Sequence, residues 1–300
     1  MKVAITGPTG MIGSELTNQL LTQGHEVIAI VNPHSSRLSN LPTSSRLKVI
    51  RCDINNFDSI MGLESCDLFY HLAWKSSNVM DRDQVYDQVD NIRISLDSVR
   101  LAKSWGAKKY IGAGSQAEYG PVNGMITSKT PISPESGYGS AKYASERLCR
   151  ILCNNIGIDF CWTRIVSVFG KNDADHTLIK YLINSIEKGV KPSLTKCEQT
   201  WDYLYSKDAA DALIGIGIKG FNGKIYLIAS GESRPLKEYV IAVRDIINPS
   251  CELGFGEKDY YPHQPMFLSV DISDLKKDID FSPKYSFEDG IRDIIKMMHN

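Results

Sequence analysis

Thr6-Gly7-Pro8-Thr9-Gly10-Met11-Ile12-Gly13 follows a β-like run, Lys2–Thr6, and opens a helical stretch, Met11–Gln23. In that stretch Ile12, Leu16 and Leu20 recur at i, i+4, i+8 before Gly24 closes it. Each glycine of the GxxGxxG spacing has a use at such a junction. Gly7 permits the tight turn out of the strand, Gly10 lets the backbone approach a pyrophosphate, and Gly13 lets the helix pack closely on the sheet. The helix start then presents free N–H groups and partial positive charge to phosphates. Glycines so spaced mark many strand-to-helix turns, but their place at the head of a βαβ unit points to a dinucleotide site.

Working outward, Val27–Val31, Leu47–Ile50, Asp67–Ala73, Lys109–Ala113 and Ile158–Val166 read as strands, Asp67–Ala73 being apolar enough for burial on both faces. Gln84–Trp105 carries Val85, Val89, Ile92, Leu96 and Val99 at alternating spacings of four and three, which predicts one buried apolar stripe. Tyr138–Asn155 reads as a further helix. The alternation predicts the α/β class, a Rossmann-type doubly wound parallel sheet. After Gly170 come a helix near His176–Lys188, a strand at Tyr203–Tyr205, a helix over Ser206–Ile218 and a strand at Ile225–Ile228. We expect a dinucleotide-binding domain over 1–168, rejoined by 202–230, and a smaller C-terminal α/β substrate lobe from 169–201 and 231–300. The ligand cleft is expected at the strand carboxyl ends.

With 300 residues, 42% of them hydrophobic, the chain can fill such a core and lobe. A formal charge of -1 supplies no overall field toward nucleic acid or an anionic membrane, so neither is an expected partner. No apolar run reaches the roughly 18 residues of a membrane span. Met1-Lys2-Val3-Ala4-Ile5 is too short for a signal core, and a cytoplasmic location is expected. Seven cysteines without paired short spacings argue against a disulfide framework. Cys149 and Cys153 fall at i, i+4, but a metal would need two more soft ligands, so none is expected.

The end of the second strand selects the dinucleotide. A carboxylate there would bond the ribose 2′-OH of NAD and repel a 2′-phosphate. This chain has Asn32, then Pro33-His34-Ser35-Ser36-Arg37, in which two hydroxyls and a guanidinium suit a phosphate. The expectation is NADP. NAD is the alternative, with Asn32 serving the ribose and Arg37 a solvated loop charge. Asp53, ahead of Ile54, either bonds the adenine amino group or caps a helix beginning near Asn56.

Tyr138-Gly139-Ser140-Ala141-Lys142 puts a phenol and an ammonium on one helix face. A free tyrosine titrates near about 10, and a neighbouring cation stabilises the phenolate, making Tyr138 the expected acid/base. Lys142 can also hold the nicotinamide ribose. Ser115, at the end of the fifth strand, is the expected hydrogen-bond donor to the substrate oxygen.

The glycine turn resembles that of the extended short-chain dehydrogenase/reductases that modify nucleotide-linked sugars. So do Asp67-Leu68-Phe69-Tyr70-His71-Leu72-Ala73, Gly114-Ser115-Gln116-Ala117-Glu118-Tyr119-Gly120, Pro134 through Lys142, and Arg164 through Gly170. The resemblance implies a Ser115–Tyr138–Lys142 triad. It also implies cofactor contacts from Thr9, Met11, Ile12, Ile54, Ala73 and Asn91, a nucleotide-sugar substrate, and a homodimer through the two long helices. Gln199-Thr200-Trp201-Asp202-Tyr203 is similar to the strand beside the substrate's nucleotide, with Trp201 where the family usually has arginine. Lys75, Gln116, His176, Lys180, Trp201, Arg234 and His263 are the candidate substrate contacts.

In that family a 4,6-dehydratase places an Asp-Glu pair after the active-site hydroxyl residue; here those positions hold Gln116 and Ala117. A bifunctional epimerase-reductase resembling GDP-fucose synthase needs a cysteine where Ala117 stands. Two reactions need only hydride transfer and one acid/base. Asn32 and the Ser35-Ser36-Arg37 run favour a dissociable NADPH, hence reduction of a nucleotide-linked 4-keto-6-deoxyhexose with Tyr138 as proton donor. A 4-epimerase with tightly held NAD is the alternative. A non-catalytic dinucleotide sensor is the reading from a different class.

Overall fold

The computed structural model describes residues 1–260 and 264–299. Strands Lys2–Thr6 (β1), Glu26–Val31 (β2), Leu47–Arg51 (β3), Leu68–His71 (β4) and Lys109–Ser115 (β5) join Asp159–Ile165 and Lys224–Ile228 in one seven-stranded sheet. Its order is Lys224–Ile228, Asp159–Ile165, β5, β4, β1, β2, β3, and every pairing is parallel. From β1 the chain builds outward to β2 and β3, then returns to β4 on the other side, so a crevice opens beyond the strand ends at that reversal.

Parallel strands need crossovers. Met11–Thr22 (α1) supplies that from β1 to β2, Val85–Ser104 (α2) that from β4 to β5 and Gly137–Ile156 (α3) that from β5 to Asp159–Ile165, while Leu178–Glu187 (α4) and Ser206–Lys219 (α5) lie between Asp159–Ile165 and Lys224–Ile228. β2, β3 and β4 are joined by loops and short turns, and Leu236–Ile247 (α6), Ser273–Ile279 and Phe287–His299 follow the last strand. The central strands are therefore apolar on both faces. Ala4, Phe69, Tyr110, Phe160 and Trp162 lie in the core layer shared with α2 and α3, and Val3, Ile5, Tyr70 and Ile111 in the layer shared with α1 and α5. A third cluster joins α4 and α6 to Phe169, Tyr205 and Phe287 in a smaller C-terminal lobe.

The stripe expected on α2 holds in its second half, where Val99 is buried and Leu96 packs on the core, and is corrected in its first half. Val85 and Val89 are 61% and 57% exposed, while Gln88, Asn91, Ser95 and Ser98 are buried. The inward face carries these polar residues beside the buried Ile94, Val99, Leu101 and Ala102 because it also holds the loop after β4 and a core phenol. Asn91 exchanges hydrogen bonds with the Lys75 backbone (2.9 and 3.0 Å), Gln88 donates to Ser76 O (3.0 Å), and Ser98 bonds the Tyr110 hydroxyl (2.8 Å).

All seven cysteines are free and buried, and burial pushes the Cys66 and Cys153 thiols up to about 12. No helix among the described residues is long and apolar enough to cross a membrane.

Candidate active site

A cavity of about 1550 Å³ runs along the strand carboxyl ends and under the lobe. Its floor is the glycine turn. Gly7 holds φ 69°, and a Cβ there would come within 2.8 Å of the Ala73 nitrogen; a Cβ on Gly13 would overlap the Gly7 carbonyl oxygen. No side chain caps α1 at Gly10, so its first N–H groups are left for an anion. Thr9, Met11, Ile12, Ile54 and Ala73 line the same cavity. This cradle suits a dinucleotide pyrophosphate.

Asn32, Ser35, Ser36 and Arg37 line the end beside β2. The Asn32 side-chain oxygen accepts the His34 N–H (2.9 Å) and the Ser35 hydroxyl accepts that of Arg37 (3.3 Å), which curls the loop around this end. Asp53 and Asn91 stand behind the wall. Asp53 takes both the N–H and the side-chain amide of Asn55 (2.8 Å each), which holds its carboxyl below the usual range. Asn91 acts through the Lys75 backbone.

At the other end, β5 finishes at Ser115 and α3 begins after Ser136, whose hydroxyl accepts the Gly139 N–H (3.1 Å). A Cβ on Gly139 would overlap the Ala117 carbonyl, so only glycine lets α3 start this close to Ser115. The Ser115 hydroxyl accepts from Ala117 N (3.2 Å) while Glu118 accepts the Ser115 N–H (2.9 Å), a reciprocal cap. Glu118 is wholly buried and also accepts from Trp162 Nε1 (3.0 Å) and Arg164 Nε (2.7 Å).

Tyr138 and Lys142 both reach the cavity. Lys142 Nζ donates to Ala113 O (2.6 Å) and lies 3.6 Å from the centre of the Trp74 ring. Burial pulls its amino group down to about 7, opposed by the Glu118 charge. Trp74 meets the Tyr138 ring edge-on at 6.0 Å, and the Arg82 guanidinium lies 5.0 Å from that ring. Burial pushes the phenol up, while the Arg82 charge and the Ser115 hydroxyl pull the other way. Behind Lys142, His71 lies 2.8 Å from Thr6 Oγ1 and is held neutral, its value driven down to about 3 by burial and by Lys142.

Across the cavity stand Phe169, Asp173, Thr177, Trp201 and Gln264 of the lobe, with Tyr203 beside them. Asp173 accepts the Thr177 hydroxyl (2.9 Å) and the Ala174 N–H (2.8 Å), and burial raises its carboxyl.

Of the expected substrate contacts, Lys75, Gln116 and Trp201 stand in the wall. The other described ones do not. His176 is exposed, Lys180 points its amino group at Met298 Sδ (3.5 Å), and Arg234 is paired with Glu288 (2.6 Å) and stacked on Tyr239 (4.1 Å). Lys180 and Arg234 each have a nearer partner than the cavity. His263 lies outside the described residues. Arg82, Trp74, Asp173 and Glu118 come into view only in the structure. A signal existed for Glu118, since Ser115-Gln116-Ala117-Glu118 has the S-x-x-E form of a capping box. Arg82 sits in a polar loop with no pattern to mark it.

A model of the NAD dependent epimerase/dehydratase family matches residues 3–229. The uncharacterized UDP-glucose epimerase YtcB of Bacillus subtilis is 26% identical, over 97% of this chain and 96% of that protein. The UDP-glucose 4-epimerase of Mycolicibacterium smegmatis is 22% identical over 100% and 99%. Among solved structures, the UDP-N-acetylglucosamine 4-epimerase of Methanobrevibacter ruminantium, in complex with UDP-N-acetylmuramic acid, superposes with a TM-score of 0.90 at 26% identity, covering 99% of this chain and 98% of that one. The UDP-glucuronic acid 4-epimerase of Bacillus cereus, in complex with NAD, shares the fold at a TM-score of 0.86 and 24% identity, with both chains fully covered. With the glycine cradle, the Tyr138–Lys142 pair and a match over most of its length, the chain belongs to the NAD dependent epimerase/dehydratase family of extended short-chain dehydrogenase/reductases.

Proposed function

We propose that the protein is a sugar-nucleotide 4-epimerase that holds NAD in the glycine cradle. The observation that carries this is the make-up of the catalytic end. Tyr138 and Ser115 face the cavity together, and Gln116 and Ala117 offer no second acid/base beside them. Chemistry confined to one carbinol, its carbon oxidised to the ketone and then reduced while one acid/base serves its oxygen, fits that set. Loss of water does not, although the family includes dehydratases. The 4-epimerases among the relatives favour this reaction over the ketoreductase expected from the β2 end.

Bound in the cradle, the dinucleotide supplies the hydride acceptor and donor. Tyr138, as phenolate, takes the proton from the sugar 4-hydroxyl and, as phenol, returns it to the same oxygen after the sugar has turned. Ser115 donates a hydrogen bond to that oxygen, and the reciprocal cap with Glu118 keeps its hydroxyl aimed. Lys142 holds the nicotinamide ribose. Residues 169–201 and 231–300 form the substrate lobe. The exposed Val85, Tyr86 and Val89 of α2 and Leu148 and Ile151 of α3 give a homodimer an apolar seam. One observation supports the competing NADPH-dependent reductase: Ser35, Ser36 and Arg37 line the adenosine end without a carboxylate among them.

The test is incubation with UDP-glucose, UDP-N-acetylglucosamine and UDP-glucuronate, followed by NMR of the sugar protons. The 4-epimer of one of them is expected. No epimer from any, with NADPH consumed on a nucleotide-linked 4-keto-6-deoxyhexose, overturns the epimerase in favour of the reductase.

A further inference from the structure

Two cations flank the Tyr138 ring. Lys142, one turn along α3, commits its amino group to Ala113 O and the Trp74 face, 5.7 Å from the centre of the Tyr138 ring. Arg82, on the segment ahead of α2, lies nearer, its guanidinium carbon 5.0 Å from that centre. This segment is tied to the start of α3. The Tyr138 N–H donates to the Arg82 carbonyl (2.8 Å) and the Gly137 N–H to the Asp83 carboxylate (2.7 Å). A Cβ on Gly137 would sit 3.1 Å from the Arg82 carbonyl oxygen, so the two segments pass in close contact. Arg82 Nε donates to Ser77 O (3.3 Å), and the guanidinium meets no carboxylate among the described residues. The remaining groups that face Tyr138 are the Ser115 hydroxyl on β5, Glu118 just beyond it, and the Trp74 edge. The Glu118 charge is already taken up by Arg164 (2.7 Å).

We propose that Arg82 is a second positioning cation for the acid/base, holding a fixed positive charge over the Tyr138 ring that stabilises its phenolate. The inference deepens the epimerase reading, because oxidation at C4 starts with a phenolate taking a proton. Arginine stays protonated throughout the working range, whereas Lys142, drawn down to about 7, is only partly charged near neutrality. The backbone tie explains the placement. Wherever α3 puts Tyr138, it carries the Arg82 main chain with it.

The test uses the full chain loaded with NAD. The tyrosinate absorbance is titrated, and the Tyr138 share is isolated by subtracting the same titration of Tyr138→Phe. The pH profile of kcat for UDP-sugar epimerisation is recorded alongside. An opposite charge within such a distance shifts a titration by about one pH unit or more, and Arg82 is partly solvated, so Arg82→Met should raise the Tyr138 midpoint and the acidic limb together by about one unit. Arg82→Lys, which keeps the charge, should recover most of the shift. Both variants keep the main-chain carbonyl and Asp83 that hold the segment, so the thermal midpoint should stay near the parent's. Arg82→Gln is the second neutral variant should the Met variant melt early. A Tyr138 midpoint unmoved in the folded neutral variants overturns the proposal. A midpoint that moves in a protein that epimerises no UDP-sugar upholds the role of Arg82 and removes the epimerase reading instead.

Discussion

On the sheet side of the cleft, what a ligand meets is largely main chain: the Gly7–Gly13 turn, the open N–H groups of α1, and the close approach of Gly139 to Ala117. Across the cleft the lobe presents side chains, among them Asp173, Thr177 and Trp201. Main-chain surfaces tolerate little change, because each depends on a missing Cβ or on a buried network behind it. A side-chain wall can be rewritten without moving the fold. Substitutions on the sheet side should therefore cost turnover, stability or dinucleotide binding, and those on the lobe side should change which sugar nucleotide is taken.

The sharpest way to break this contrast is Tyr138→Phe. Removing the phenolic proton carrier should lower turnover by about 10²–10⁴-fold while dinucleotide binding, measured calorimetrically, stays within about twofold. Lost binding would make Tyr138 a structural residue.

Next in size is Glu118→Gln. Glu118 answers the charge of Arg164 in a fully buried site, and removing one partner of such a pair typically costs about 3–5 kcal/mol. Denaturant unfolding should show that loss. Asp173→Asn, on the lobe side, should leave unfolding unchanged and alter KM for the sugar nucleotide, since burial already disfavours that carboxylate. Equal destabilisation by both would end the distinction between the two walls.

The same contrast explains what could be read in advance. The glycine turn and the Tyr138–Lys142 spacing are local patterns in which the chemistry dictates residue type at fixed offsets. The α2 stripe misled because periodicity reports where apolar residues lie and not which face the fold needs. The start of the buried face of α2 had to hold the Lys75 loop by hydrogen bonds, so Gln88 and Asn91 took it, and the apolar contacts begin only with Ile94 and Val99. Arg82 and Asp173 stand in loops, and only the folded chain brings them to the cavity. Arg234 and Lys180 looked like anion contacts because a charge in a sequence shows no partner; Glu288 and Met298 had already engaged them.

Arg37→Ala probes the side chains at the β2 end of the sheet side. If a 2′-phosphate sits among Ser35, Ser36 and Arg37, losing one charge-assisted contact should weaken NADPH by about tenfold, or roughly 1.5 kcal/mol, and leave NADH nearly unchanged. An equal loss on the two would remove the 2′-phosphate assignment, and no loss on either would assign Arg37 to solvent and favour NAD.

The smallest effect concerns Lys142, a charged side chain that the sheet side buries. Its amino group titrates near about 7 in the fold and near about 10.4 in an unfolded chain. A base depressed on folding contributes stability that is fully present above its unfolded value and is lost as the pH falls through its folded value. Between about pH 7 and about pH 10 the thermal midpoint of the protein without dinucleotide should therefore rise relative to that of Lys142→Met. The Lys142→Met variant is the right reference because the buried tyrosines and cysteines that also titrate there are common to both proteins. Parallel curves would mean that Lys142 is a solvated ammonium at all these pH values. Its bond to Ala113 O would then be too weak to define the nicotinamide end of the cleft, leaving Arg82 as the charge that does.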